Sequence, residues 1–85
     1  MADQTLRIYP SPTHGRLFID VNNSRENLLA IRATTLSGNT VLSQKFPGNR
    51  MQKTASVDLS GYEPGIYMIS VTTDQASMTR KLVLH

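Results

Sequence analysis

The side chains that could take part in acid–base or nucleophilic chemistry are few and far apart in this sequence. The only histidines are His14 and His85, which stand near opposite ends of the 85 residues. His14 is close to Ser11 and Thr13, a combination that could supply a hydroxyl nucleophile and a base. Neighbours in a proline-rich turn rarely reach the necessary geometry, and no third group to orient the base is evident. We therefore interpret His14 as an exposed loop residue.

Carboxylates and cysteines give no stronger signal. Asp20, Glu26 and Asp58 are isolated on polar strand faces or in loops, without the spacing of a general acid–base pair. The sequence has neither an aspartate-rich calcium loop nor a glycine-rich phosphate loop. It also has no cysteine, which excludes disulfides, thiolate nucleophiles and zinc–thiolate sites. The sequence thus predicts no catalytic, metal or cofactor site, and we do not expect an enzyme.

Charge and composition favour a small globular domain that neither binds nucleic acid nor spans a membrane. The formal net charge is +3, but the basic residues are scattered and only Arg80 and Lys81 are adjacent. A nucleic-acid surface usually combines a basic cluster with aromatic residues, which are scarce here. The apolar runs fall far short of the roughly 20 residues that cross a bilayer. A glycosylation-type triplet at residues 22–24 is interpreted as an ordinary loop.

Period-two alternation of apolar and polar residues predicts seven short strands and no helix. The predicted strands are residues 6–9, 16–21, 28–34, 40–46, 54–59, 66–73 and 78–84. Turn residues such as Gly38 separate them. Seven short strands with regular turn signals are typical of an antiparallel immunoglobulin-like β-sandwich, and a five- or six-stranded barrel is the alternative.

Two local features carry sharper expectations. In the third predicted strand, alternation places Leu29, Ile31 and Ala33 on one face and Leu28 on the other. Tyr62 and Tyr67 flank a proline–glycine turn, which is typical of a tyrosine corner whose phenol bonds back to the backbone.

Four short motifs occur in order, beginning with IYPSPTHGRLFIDV and ending with MTRKLVLH. Together they make the chain similar to the C-terminal sorting domain (type A) of type IX secretion system cargo proteins of Bacteroidetes, the Por secretion system C-terminal domain. The matching positions are Tyr9, Pro10, Pro12, Thr13 and Gly15 in the opening motif, Gly38 in a middle turn, Leu59, Gly65, Ile66 and Tyr67 in the third motif, and Thr79, Lys81, Leu82 and Val83 in the last. The resemblance covers residues 8–85.

The sequence departs from the family pattern at four positions. Ser11 replaces the usual asparagine, and Thr35 and Asn39 replace the usual aspartate and basic residue around Gly38. The last residue is His85, where lysine, glutamine or arginine is commoner. We expect these changes to alter surface charge while leaving the turns intact.

The resemblance implies a seven-stranded sandwich over residues 8–85, preceded at residues 1–7 by a linker that can include the first strand residues. It implies a larger cargo precursor, of which this chain is a fragment, whose own signal peptide stands upstream. It implies transit through the periplasm, then the outer membrane, the cell surface or the medium. The expected partners are the type IX translocon, its shuttle proteins and a surface sortase that usually removes the domain. The alternatives are a retained domain in outer-membrane signalling or assembly, and an adhesion or carbohydrate-binding module.

For a signal that is read while folded, we expect recognition to depend on the terminal strand. The recognition residues would be Thr79, Arg80, Lys81, Leu82, Val83, Leu84 and His85. Leu82 and Leu84 are expected to anchor the strand, leaving Arg80, Lys81 and His85 available. Lys81 could equally be an edge charge that discourages aggregation. Structural roles are expected for Tyr9, Pro10, Pro12, Thr13, Gly15, Gly38, Leu59, Gly65 and Tyr67.

Overall fold

Seven β-strands and no helix make up the described part of the chain. The computed structural model describes residues 6–10, 14–21, 25–48 and 51–85. The strands are β1 (Arg7–Tyr9), β2 (Arg16–Asp20), β3 (Leu28–Thr35), β4 (Thr40–Lys45), β5 (Thr54–Asp58), β6 (Gly65–Thr73) and β7 (Ser77–Leu84). The described residues contain no helix that is long and apolar enough to cross a membrane. The all-β prediction is confirmed, and each strand boundary falls within one residue of its predicted position.

The strands form two antiparallel sheets. The smaller sheet has the order β1-β2-β5 and the larger has the order β4-β3-β6-β7. The chain passes from one sheet to the other after β2, after β4 and after β5. None of the described strands is shared between the sheets, so the architecture is an immunoglobulin-like sandwich rather than a closed barrel.

The apolar faces of both sheets meet in one core, because strand side chains alternate between faces. In β2, Leu17 and Ile19 are fully buried while Arg16 and Phe18 are exposed. The buried apolar residues are Leu6, Leu17, Ile19, Val21, Leu28, Ile31, Ala33, Val57, Leu59, Tyr67, Ile69, Val71, Leu82 and Leu84. Every strand except β1 and β4 supplies at least one of them, so the core ties both sheets together.

The start of β3 does not follow simple alternation. Leu28 pairs with Thr73 and Ala30 pairs with Thr72, so the register shifts between them and leaves Leu29 as the additional residue. Such a bulge turns the residues before it to the other face. Leu28 is therefore fully buried, while Leu29 is only half-buried. The prediction that Leu29 shares the inward face with Ile31 and Ala33, and that Leu28 does not, was wrong.

Candidate recognition surface at the terminal strand

The four sequence motifs meet at one end of the sandwich. Odd-numbered strands end there and even-numbered strands begin there, because successive strands run in opposite directions. We call this the motif end and define it as residues 10, 14–15, 36–39, 59–65 and 84–85. Hydrogen bonds join its segments. Leu59 N–H donates to the Gly15 carbonyl (2.8 Å) at the end of the smaller sheet, and the Tyr62 hydroxyl donates to the Val41 carbonyl (2.8 Å) of β4 in the larger sheet.

Gly15 holds the opening motif against the loop after β5. Its φ of 155° is in a region that favours glycine, and a Cβ there would lie 2.7 Å from the Cβ of Ser60. Before it, the Tyr9–Pro10 peptide bond is cis. Pro12 and Thr13, which were assigned structural roles with Tyr9 and Pro10, lie outside the described residues, as does the 22–24 triplet.

Gly38 forms the turn between β3 and β4 with a φ of 96°. Its N–H donates to the Thr35 carbonyl (3.0 Å), and Thr35 N–H donates to the Asn39 carbonyl (2.9 Å). The Thr35 hydroxyl also accepts a hydrogen bond from Asn39 N–H (3.2 Å). A threonine hydroxyl thus supplies the acceptor that an aspartate would supply in the family pattern, so the turn is retained.

Tyr67 forms the predicted tyrosine corner. Its side chain is buried near the start of β6, and its hydroxyl donates to the Glu63 carbonyl four residues upstream (2.6 Å). This fixes the loop that carries Gly65 into β6. Tyr62 is more exposed, and its hydroxyl donates to the Val41 carbonyl. The register between β3 and β4 shifts at Val41, so no residue of β3 pairs with it.

β7 is an edge strand whose residues divide between two faces. It pairs with β6 from Gly65 opposite Leu84 to Thr72 opposite Ser77, without a register shift. Leu82 and Leu84 are 1% and 3% exposed, in agreement with the expectation that they anchor the strand. Alternation places Thr79, Lys81 and Val83 on the outer face.

On that outer face, Val83 pairs with Ile66 and Lys81 pairs with Met68. Ile66 is 40% exposed although it is apolar, and Val83 is half-buried. The result is a small apolar contact at the motif end with a lysine beside it. An apolar centre beside a charge is a typical feature of protein recognition surfaces.

Among the described residues, β7 pairs with no strand other than β6, and its outer edge faces a groove. A cavity of about 350 Å³ separates it from β1, the edge of the smaller sheet. The groove is lined by Leu6, Arg7, Ile8, Tyr9, Arg80, Lys81 and Leu82. Alternation places Arg80 on the same face of β7 as the buried Leu82. Arg80 is nevertheless exposed, because it lines this open groove.

An exposed ion pair between Asp58 and Arg16 lies directly beside the motif end. Hydrogen bonds from the Ser60 side chain and its backbone N–H hold the pKa of Asp58 below its ordinary value, and the charge of Arg16 lowers it further. The Arg16 guanidinium lies 3.9 Å from the Asp58 carboxylate, and both side chains are largely exposed. Exposed pairs of this kind contribute little to stability, so their effect here is on surface charge.

The structure brings together two residues that sequence reasoning kept apart. The rings of His14 and His85 lie with their centroids 5.7 Å apart at an interplanar angle of 42°. Both side chains are exposed. Sequence reasoning missed this pairing because it depends on the end of β7 lying beside the start of β2, which local patterns do not encode. Among the described residues, no group of three or more acidic, histidine or cysteine side chains is placed to hold a metal ion.

Comparison with known protein families identifies the family of the chain. A model of the secretion system C-terminal sorting domain matches residues 7–85. The chain belongs to this family. Sorting domains of this family are type IX secretion signals and are not enzymes, so the domain marks a protein for export toward the outer membrane, the cell surface or the medium. No curated protein matches the chain.

Proposed function

We propose that this sorting domain is read in its folded form through β7, by strand addition at its free edge together with contacts to its outer face. The observation that carries the proposal is the position of β7. It is an eight-residue edge strand with unbroken pairing on one side and an open groove on the other. A partner strand can bond to the free backbone groups of such an edge and read alternate side chains.

The other edge strands are less suitable. β1 has three residues and β5 has five. β4 is interrupted by the register shift at Val41, whose carbonyl is already bonded to Tyr62. Short or bulged edges resist pairing with another chain. This comparison supports β7 as the edge that a partner reads.

The seven expected recognition residues then divide into those that would contact the partner and those that hold the strand in place. Thr79, Lys81 and Val83 would contact the partner from the outer face, and His85 would extend the surface beyond the end of the strand. Arg80 would contact a segment in the groove. Leu82 and Leu84 act indirectly, since their buried side chains hold the strand in place. Lys81 would serve both as a contact and as a charge that opposes uncontrolled edge pairing.

The partners in this proposal are the type IX translocon and its shuttle proteins, which receive the folded domain in the periplasm. A surface sortase then removes the domain and attaches the cargo to the cell surface. Retention of the domain for signalling or assembly at the outer membrane is the alternative fate.

Export of a reporter tests the proposal. The reporter is fused upstream of this chain in a host with a working type IX system, and its amount in the medium and on the surface is measured by immunoblot. Removal of residues 79–85 is expected to abolish export. Lys81→Glu is expected to lower export, because a reversed charge on the outer face opposes partner contact.

Lys45→Glu is the matched control. Lys45 is also an exposed lysine on an edge strand of the larger sheet, but on β4. Both variants should unfold at the temperature of the wild type, so a difference in export reports on recognition. Export of the fusion that ends at residue 78, or equal export by the two lysine variants, would contradict the proposal.

A carbohydrate-binding role is a second candidate, favoured by one observation on the smaller sheet. Tyr9 and Phe18 are each about 40% exposed, with ring centroids 5.7 Å apart, and the Arg7 guanidinium lies 5.4 Å from the Tyr9 ring centre. Exposed aromatic faces beside a hydrogen-bond donor can stack on sugar rings. Calorimetric titration with oligosaccharides tests this role, and a Phe18→Ala variant should lose the binding if it exists.

A further inference from the structure

His14 and His85 are the only histidines in the sequence, and folding places their rings 5.7 Å apart, centroid to centroid. We propose that they bind one divalent late transition-metal ion, such as Zn²⁺, Ni²⁺ or Cu²⁺, with one nitrogen from each ring. The site goes beyond the sorting function and does not depend on it.

The separation of the rings fits shared coordination. A metal–nitrogen distance of about 2.1 Å and a tetrahedral angle give a centroid separation of about 5.3 Å, and a wider angle gives more. The observed 5.7 Å therefore requires only a small opening of that angle or a small side-chain rotation. Both side chains are exposed, so they can rotate to aim a nitrogen at the ion.

Each histidine has one neighbouring residue whose backbone is held in place. His14 directly precedes Gly15, whose carbonyl accepts a hydrogen bond from Leu59 N–H and whose Cα packs against Ser60. His85 directly follows Leu84, which is buried and pairs with Gly65. Two ligands on anchored backbone lose less entropy on binding than two ligands on free termini, so the pair is partly preorganised.

The donor set determines which ions suit the site. Imidazole nitrogens favour zinc, copper and nickel over the oxygen-seeking magnesium and calcium, and copper(II) should bind most tightly. Water would complete the coordination sphere, since no third side-chain ligand is grouped with the pair among the described residues. Arg16 is nearby in sequence, but its charge is offset by Asp58 at 3.9 Å.

Neither histidine is part of the family's motif pattern. His14 occupies the unspecified position of the opening motif, between Thr13 and Gly15, and His85 replaces the lysine, glutamine or arginine that is commoner at the last position. An ion bound between them would join the opening loop to the end of β7. Because an ion that binds only the folded state stabilises that state, metal should raise the unfolding temperature.

Calorimetric titration and thermal unfolding test the site, using the 85-residue chain without a histidine tag. We expect one Zn²⁺, Ni²⁺ or Cu²⁺ ion per chain and a higher unfolding temperature that EDTA reverses. Mg²⁺ and Ca²⁺ should have no such effect. His14→Gln and His85→Gln should each weaken binding at least about tenfold, a loss of roughly 1.4 kcal/mol.

The double variant His14→Gln, His85→Gln separates a shared site from independent ones. For a shared site, the second substitution should remove little beyond what the first removes, because the two effects are not additive. Absence of metal binding by the wild type would overturn the proposal. Unchanged affinity in either single variant, or two ions per chain, would overturn it as well.

Discussion

Gly15 and Ser60 are packed so closely that the space between them leaves no room for a side chain. An added Cβ at Gly15 would lie 2.7 Å from the Ser60 Cβ and 3.0 Å from its Cα, and the φ of Gly15 is 155°. This contact joins the opening motif to the loop after β5, directly beside the bond from Leu59 N–H to the Gly15 carbonyl. The opening motif is therefore built for a close backbone approach at the motif end.

Replacing Gly15 with alanine should destabilise the domain by about 2–4 kcal/mol, because backbone strain adds to overpacking against Ser60. Gly61→Ala is the matched control, since nothing lies within 4 Å of a Cβ at Gly61. The control should change stability by no more than about 0.5 kcal/mol. Urea unfolding followed by circular dichroism measures both, and equal midpoints for the two variants would refute the explanation.

The hydroxyl of Tyr67 should contribute to stability more than that of Tyr62. Tyr67 is 6% exposed and Tyr62 is 40% exposed, although both donate to a backbone carbonyl. Tyr67→Phe should cost about 1–2 kcal/mol because it leaves the Glu63 carbonyl without this donor. Tyr62→Phe should cost less, since water can replace its bond. Urea unfolding again gives the comparison, and a larger loss for Tyr62→Phe would contradict it.

Substitutions at two neighbouring residues of β7 should affect stability and export differently. Leu82→Ala removes a fully buried side chain and should cost about 2–5 kcal/mol. Val83→Ser removes a half-buried contact with Ile66 and should cost less than about 1 kcal/mol. Under the proposed function, Val83→Ser should nevertheless lower export of a fused reporter. Unfolding curves and immunoblots of the same variants test this, and normal export by folded Val83→Ser would count against an outer-face contact.

Stability should fall with acid partly through Asp74. Hydrogen bonds from Asn27 backbone N–H (3.1 Å) and Asn27 Nδ2 (3.0 Å) hold the pKa of this carboxyl below its ordinary value. The unfolded state then binds the proton more readily than the folded state. The stabilisation is present above the ordinary carboxyl range, near pH 4, and is lost as the pH falls through the lowered pKa.

Asp74→Asn should therefore flatten the dependence of the unfolding temperature on pH between about pH 5 and pH 2. Asp58 has a lowered pKa for a similar reason and should keep part of the slope in this variant. Thermal unfolding at a series of pH values provides the measurement. A slope identical to that of the wild type would show that the Asn27 bonds do not control the titration.

Much of the fold follows from local patterns in the sequence. Alternation and turn residues predicted all seven strands, because each depends on residues a few positions apart. The tyrosine corner at Tyr67 was predictable for the same reason, since its partner Glu63 is four residues away. The order of the motifs also predicted the sorting family.

Only the tertiary structure decided the properties that depend on strand pairing. The register shift at the start of β3 buries Leu28 in place of Leu29, because pairing with β6 determines that Leu29 is the residue without a partner in the bulge. The position of β7 at a sheet edge follows from the order of strands in the larger sheet. The contact of His14 with His85 joins residues at opposite ends of the sequence, and it exists because the opening loop and the end of β7 fold to the same end of the sandwich. Residues so distant in sequence leave no local pattern, so the sequence determined the strands and the motifs while the fold alone decided which of them meet.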